Sequence, residues 1–153
     1  MEIRPATTED LAGVVASSAA LFAEDAATRD PLRNAGWPAA HGAQWCAELL
    51  GDPQALVLVA QVEGEVAGHL IGIFSEPSDM WLGSKAELVS MYVRGDVRGQ
   101  GVGGQLVDAF VEWAKGRGAA QMNVTAYADN ATALRLYESR RFAPKSVTLT
   151  VDL

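Results

Sequence analysis

The residues whose types and spacing could do chemistry are concentrated in one short run, Arg98-Gly99-Gln100-Gly101-Val102-Gly103-Gly104. It lies between an apolar segment ending at Val93 and a segment with helical periodicity that begins at Val102. The start of a helix exposes about four unpaired backbone N–H groups and carries partial positive charge. Glycines, having no Cβ, let a phosphate oxygen come close to those groups. Arg98 adds a formal charge, and Arg94 lies nearby. The chemistry this predicts is pyrophosphate binding. Three patterns compete for the run. Gly99-x-Gly101-x-x-Gly104 matches a dinucleotide-binding fingerprint, but that loop follows its strand immediately and normally opens its domain. Here Arg94–Arg98 intervene, and only about fifty residues remain. No Lys-Ser/Thr pair follows, so the run is not a P-loop. A plain glycine-rich connection leaves Arg98 and the amphipathic segment unexplained. Arg98-x-x-Gly101-x-Gly103 fits best.

Other elements must position this loop. Met1–Pro5 reads as a short strand. Thr7-Thr8-Glu9-Asp10 opens a helix that continues from Leu11 to about Ala23. Glu24–Ala40 reads as irregular, and Ala39–Leu50 as a second helix closed by Gly51-Asp52-Pro53. Leu56–Val62 and Val66–Phe74 form a hairpin about Glu63-Gly64-Glu65, and Ala86–Val93 is a further strand. Val102, Leu106, Phe110 and Trp113 mark a helix ending near Gly116 or Gly118. Gln121–Ala126 is a strand, Asp129-Asn130 cap a helix to about Arg140, and Val147, Leu149, Val151 and Leu153 alternate as a half-buried last strand. The order β-α-α-β-β-β-α-β-α-β mixes hairpins with strand–helix crossovers. The expected class is therefore α/β with a mixed sheet.

The loop and the segment C-terminal to it resemble the GNAT superfamily of N-acyltransferases. Arg98-x-x-Gly101-x-Gly103 after a strand ending in Val is similar to that family's acetyl-CoA signature. Asp129-Asn130-Ala131 followed by Ala133-Leu134-Arg135-Leu136-Tyr137-Glu138 and Phe142 resembles its second landmark, a helix with Asn near its start and Tyr near its end. The resemblance is strong from 86 to 142 and topological before that, and it implies one domain over residues 1–153. Arg141 departs from it, standing where the family commonly has Gly, so a different backbone conformation is expected in that turn.

The resemblance implies a centrally splayed sheet, with the pantetheine arm of acetyl-CoA entering the gap between Leu88–Val93 and Gln121–Ala126. Met91 and Val93 would pair with it through their backbones, and an N–H near Tyr92 would hold the oxyanion. The N–H groups of Arg98, Gly99, Gln100, Gly101, Val102, Gly103 and Gly104 would hold the pyrophosphate, and Asn130 would bond the pantetheine. Tyr137 would act as general acid toward the departing thiolate. Glu87 is the candidate base that frees an amine to attack directly in a ternary complex. A non-catalytic acyl-CoA sensor on the same fold is the alternative. Outside these positions the expectations are structural: His69 a satisfied core histidine, Cys46 a buried inert thiol, Trp45 and Trp113 packing residues. His41, Trp37 and Trp81 are weaker candidates for the acceptor side.

Composition sets the outer limits. A chain of 153 residues, 49% hydrophobic and 20% charged, is one ordinary globular domain. A single cysteine excludes an internal disulfide and a Cys-built zinc site, and no metal is expected. The polar, acidic N-terminus and the lack of a long apolar run point to a cytoplasmic domain without a membrane span. Net charge is −7. Residues 1–84 hold 12 acids and 3 bases, and residues 85–153 hold 7 acids and 9 bases. Nucleic-acid binding, which needs clustered positive charge, is not expected. The acids Glu24, Asp25, Asp30, Glu76 and Asp79 suggest a cationic amine acceptor drawn to the front half. Monomer and homodimer both remain open.

Overall fold

Apolar residues on both faces of the central strands require cover on both sides, and the two covering layers define the architecture. The computed structural model describes residues 1–153. Strands β1 (Glu2–Pro5), β2 (Ala55–Val62), β3 (Glu65–Ser75), β4 (Lys85–Val93) and β5 (Gln121–Val124) form one sheet in the order β1-β2-β3-β4-β5. The first three pairings are antiparallel, and β4 pairs β5 in parallel. Helices α1 (Leu11–Leu21), α2 (Ala27–Arg29) and α3 (Ala43–Leu50) belong to the front of the chain, α4 (Val102–Gly116) and α5 (Ala131–Ser139) to the back.

Alternation along β2 shows why both layers are needed. Leu58 and Ala60 face α4, where they join Leu106, Val107 and Phe110. Val57 and Val59 face the other way, against Val14 of α1 and Cys46 and Leu49 of α3. A strand covered on both sides reads as a continuous apolar run, as LVLVAQV does. The β2–β3 hairpin closes through Glu63 and Gly64, both at positive φ, a backbone twist that matches the strands it joins.

The structure corrects four expectations. The first helical stretch does not stop at Ala23: a π turn (Phe22–Ala26) carries it into α2, so Glu24 and Asp25 are helical, not part of an irregular loop. The continuous helical stretch Thr8–Arg29 holds an 18-residue window of mean hydropathy 1.2, so by length and composition alone it could cross a membrane, contrary to the expectation of no such segment. Its inner residues Val14, Ser17 and Ser18 are buried against the sheet, a role that also selects apolar and small residues. Arg141 takes φ 71, so the turn keeps the left-handed conformation that Gly favours and Arg adopts at a cost. Finally, Val147–Leu153 form no strand within this chain, and β5 is left as a sheet edge.

Candidate functional site

A bulge opens the sheet where the expected site lies. Ile71 opposes Ser90 while Gly72 opposes Leu88, which leaves Val89 as an extra residue on β4. A bulge bends its strand and increases its twist. β5 pairs β4 only from Lys85 to Leu88, and β4 continues to Val93 with no partner on that side. The result is a wedge between β4 and β5. Gly72 allows the sheet to sit close beneath α4 at this point, because a Cβ there would come within 2.9 Å of the Phe110 ring.

The orientation of the β4 backbone follows from its pairing with β3. The Arg94 N–H donates to the Ala67 carbonyl at 2.8 Å, and Tyr92 lies opposite His69 two residues earlier. Alternation in an antiparallel ladder therefore turns Tyr92 toward β3 and turns the N–H and C=O of Met91 and Val93 into the wedge. The Tyr92 backbone does not face the gap, and its side chain points instead toward α1, where with Ala16 and Ser17 it borders a recess of about 400 Å³.

At the open end of the wedge the chain passes through a 3-10 turn (Gly95–Val97) into the glycine loop. Gly99 and Gly101 have φ of 77 and 80, values that a residue with a Cβ adopts only under strain. A Cβ on either would meet nothing within 4 Å, so the loop's surface is clear. Gly101 stands just before α4 without a side-chain cap, and Gln105 is the first residue whose amide is bonded, to the Gly101 carbonyl. From Gly99 to Gly104 no backbone N–H finds a protein acceptor. This row of donors at the positive end of a 15-residue helix fits a diphosphate. Gly103 packs near Leu136 of α5 and Val93 and Met91 of β4, which ties the helix start, the wedge and α5 into one corner.

Arg98 contributes differently from expectation. Its side chain folds back, Nε donating to the Val93 carbonyl at 2.8 Å and Nη2 meeting Glu24 at 2.8 Å. That bond to Arg98 first, and the Tyr92 hydroxyl nearby second, hold the Glu24 carboxyl below the usual range. Asn130 is likewise occupied. Its amide oxygen caps α5 by accepting the Ala133 N–H, and its amide nitrogen donates to Asp25 at 3.2 Å. Asp25 also pairs with Arg29, which reaches Asp129. Two neighbouring acids of the π turn thus span the wedge, one holding Arg98 and the other Asn130. Sequence reasoning placed both on the acceptor side, because a π turn that aims two consecutive side chains at one gap has no signature in residue spacing. Arg140 was also missed. Its guanidinium sits over Gly104, where a Cβ would collide with it, and pairs with Asp108 at 3.1 Å, adding a cation beside the helix start.

Tyr137 is buried in the core on the α4 side, edge-on to Phe142. Burial first, and the charge of Asp25 second, push its hydroxyl up to about 12. Glu87 is exposed on β4 opposite Ile73 and Asn123. It lies between Ala86 and Leu88, both of which face α4, so its side chain is on the opposite face of the sheet from Tyr137. His69 is fully buried, with Nδ1 2.5 Å from Ser17 Oγ and Nε2 2.8 Å from Ser90 Oγ. Desolvation lowers it to about 4, so it is a neutral core residue as expected. Cys46 is buried and its thiol pushed up by that burial. Trp37 stacks with Phe22 and meets Trp45 and His41, binding the Asp30–Trp37 connection to the π turn and α3. Trp81 is half exposed, under the Lys85 ammonium.

The family model for the acetyltransferase (GNAT) family matches residues 21–142. Among solved structures, the BH1408 protein from Bacillus halodurans, as a tetramutant, superposes with a TM-score of 0.88 at 20% identity, each chain covered in full. A transcriptional regulator from Bacillus halodurans C-125 gives 0.78 at 27% identity, with 99% of each chain covered. The aminoglycoside N-acetyltransferase AAC(6')-Iy in complex with CoA gives 0.74 at 14% identity, covering 99% of this chain and 98% of that one. No curated protein matches this sequence.

Proposed function

The chain belongs to the acetyltransferase (GNAT) family, and from that premise we propose that it moves the acetyl group of acetyl-CoA to a primary amine by direct attack in a ternary complex. One observation carries the proposal: the unpaired N–H groups from Gly99 to Gly104 lie beside a bulged strand whose Met91 and Val93 backbones face an open wedge. Diphosphate binding fits the first feature, and an amide-bearing arm fits the second, by adding to the exposed edge as a strand would.

Each residue then has a defined task. The loop amides hold the diphosphate, with Arg140 adding charge nearby. The N–H groups of Met91 and Val93 are donors for the negative charge that develops on the thioester oxygen. Glu87, on the opposite face from Tyr137 and unpaired, takes the proton that the attacking ammonium must lose. Tyr137 donates a hydrogen bond to the departing sulfur. A hydroxyl at about 12 is a weaker acid than a thiol near 8.5, so full proton transfer to the thiolate is uphill, and stabilisation by the hydrogen bond is the larger effect. Glu24 and Asp25 are paired within the wedge, so attraction of a cationic acceptor rests on Asp30, Glu76 and Asp79. A soluble cytoplasmic setting belongs to the same proposal.

A non-catalytic acyl-CoA sensor remains the second possibility, favoured by the likeness to a transcriptional regulator and by the internal pairing of Arg98 and Asn130. Free-thiol release from acetyl-CoA, measured across a panel of aminoglycosides, polyamines and peptide amines, separates the two. Turnover with at least one amine is expected. A thermal shift with acetyl-CoA but no thiol release with any amine would mean a sensor, and no thermal shift at all would remove both.

A further inference from the structure

His69 is the one buried histidine, and the acetyl transfer proposed above leaves it without a task. Its ring has Nδ1 2.5 Å from Ser17 Oγ and Nε2 2.8 Å from Ser90 Oγ. A neutral imidazole has one N–H and one lone pair, so of the two serines one donates to the ring and the other accepts from it. Neither hydroxyl has a second partner within the protein. The serine that accepts therefore has its own hydrogen free for a group outside the trio. With the ring proton on Nδ1 that serine is Ser17, and with the proton on Nε2 it is Ser90. Two arrangements that differ only in proton positions thus satisfy both contacts, and they present a free O–H at opposite ends. The ends open on different spaces. Ser17 borders the recess of about 400 Å³ beside α1, whose rim carries the exposed Glu65–Arg94 ion pair. Ser90 is half-buried on β4, directly after the bulge residue Val89 and directly before Met91, whose backbone faces the wedge. Its side chain, like that of Tyr92 two residues on, lies on the α1 face of the sheet, the face that holds Glu87.

We propose that Ser90, His69 and Ser17 carry a proton from the acceptor nitrogen beside the β4 bulge to the recess beside α1. The path rests on the acetyl transfer proposed above and serves its second deprotonation. Glu87 takes one proton from the ammonium before attack and is then occupied. Once the nitrogen has bonded to the acetyl carbon, it carries one proton more than an amide holds. That proton passes to Ser90 Oγ, the Ser90 hydroxyl proton to His69 Nε2, the Nδ1 proton to Ser17 Oγ, and the Ser17 hydroxyl proton to solvent in the recess. The oxyanion's electron pair re-forms the C=O bond, and the C–S bond breaks with its pair leaving on the CoA sulfur. Ser90 faces the reacting nitrogen, and His69 and Ser17 act through it. No member of the trio gains a net charge, which suits a ring that desolvation keeps neutral down to about 4. After the product leaves, a proton returns along the same path from the recess to solvent in the open wedge, and His69 regains its Nδ1 proton. The net result is one proton moved from the acceptor to solvent.

Single-turnover acetyl transfer from bound acetyl-CoA, followed in mixtures of H2O and D2O with an amine that releases thiol, tests this on the full chain. The wild-type rate should fall toward D2O along a bowed curve, the mark of several protons moving together. Ser17→Ala and Ser90→Ala should each slow the transfer at least about tenfold and straighten the curve, while acetyl-CoA Kd and amine KM stay within about twofold. Ser90→Thr, which keeps the hydroxyl, should restore both the rate and the bow. A straight wild-type curve overturns the path, as does a folded Ala variant that transfers within about twofold of wild type. So does a slow Ser90→Ala whose rate Thr does not restore, because the loss then belongs to packing. Should Ser17→Ala fail to fold, the Ser90 pair decides alone. No thiol release with any amine removes the acetyl transfer and the path with it, whereas unaffected variants of a protein that turns over remove the path alone.

Discussion

Tyr137 is buried where its proton is hard to lose. Pushed up to about 12, mainly by burial, it remains a donor across the accessible pH range. In Tyr137→Phe, kcat should fall about 10- to 200-fold, the worth of one hydrogen bond to a developing charge. The wild-type rate should show no loss of activity traceable to phenol ionisation below about pH 10. A Phe variant within twofold of wild type would take Tyr137 out of the chemistry. Arg141 shows a residue acting against its own backbone. With φ 71 it holds a conformation that costs an L-residue about 1–2 kcal/mol, part of which Gly would give back as entropy of the unfolded chain. Arg141→Gly should therefore stabilise the fold by about 0.5–1 kcal/mol, read as a denaturant midpoint moved upward at constant m-value.

At the scale of elements, the π turn between α1 and α2 reaches across the wedge, with Glu24 on Arg98 and Asp25 on Asn130. Glu24 places an anion beside the glycine loop, and it engages the one arginine of the motif. The pair is about half exposed on both sides, so its worth is that of a surface ion pair, about 0.2–1 kcal/mol. Glu24→Gln should tighten CoA binding by about 1.5- to 5-fold in calorimetric titration, an effect that fades with added salt. Weaker binding would mean that Glu24 orders the loop instead of competing for it. The β4 bulge acts at the same scale, because a single extra residue, Val89, separates the part of β4 that pairs with β5 from the part that faces the wedge.

For the whole molecule, His69 joins the two layers: it sits on β3, hydrogen-bonded to Ser17 of α1 and to Ser90 of β4. In the unfolded chain its imidazole gains a proton below its ordinary 6.5, whereas in the fold it stays neutral down to about 4. Its contribution to stability is therefore fully present above 6.5 and is lost as pH falls toward 4, with about 2 kcal/mol gone by pH 5. Urea unfolding at pH 7.5 and pH 5 should show this loss in wild type and a smaller one in His69→Gln. Equal losses would assign the acid sensitivity to other groups.

Much of this was legible in the sequence because it depends on local pattern. The glycine loop follows from residues without Cβ at the start of an amphipathic helix, the helices and strands from apolar periods, and the core role of His69 from the strand face it shares with Ile71 and Ile73. The family resemblance pointed to the gap between β4 and β5, where the structure has the bulge and the unpaired stretch of β4. Tertiary structure decided what depends on residues far apart in the chain. The pairing of Arg98 with Glu24 and of Asn130 with Asp25 joins residues 74 and 105 positions apart. The orientation of Tyr92 away from the wedge follows from the β3 register. The alternating tail shows the physical limit most plainly. Its pattern specifies a strand, but a strand is stabilised by a neighbouring edge, and alternation within a segment carries no information about which edge that is.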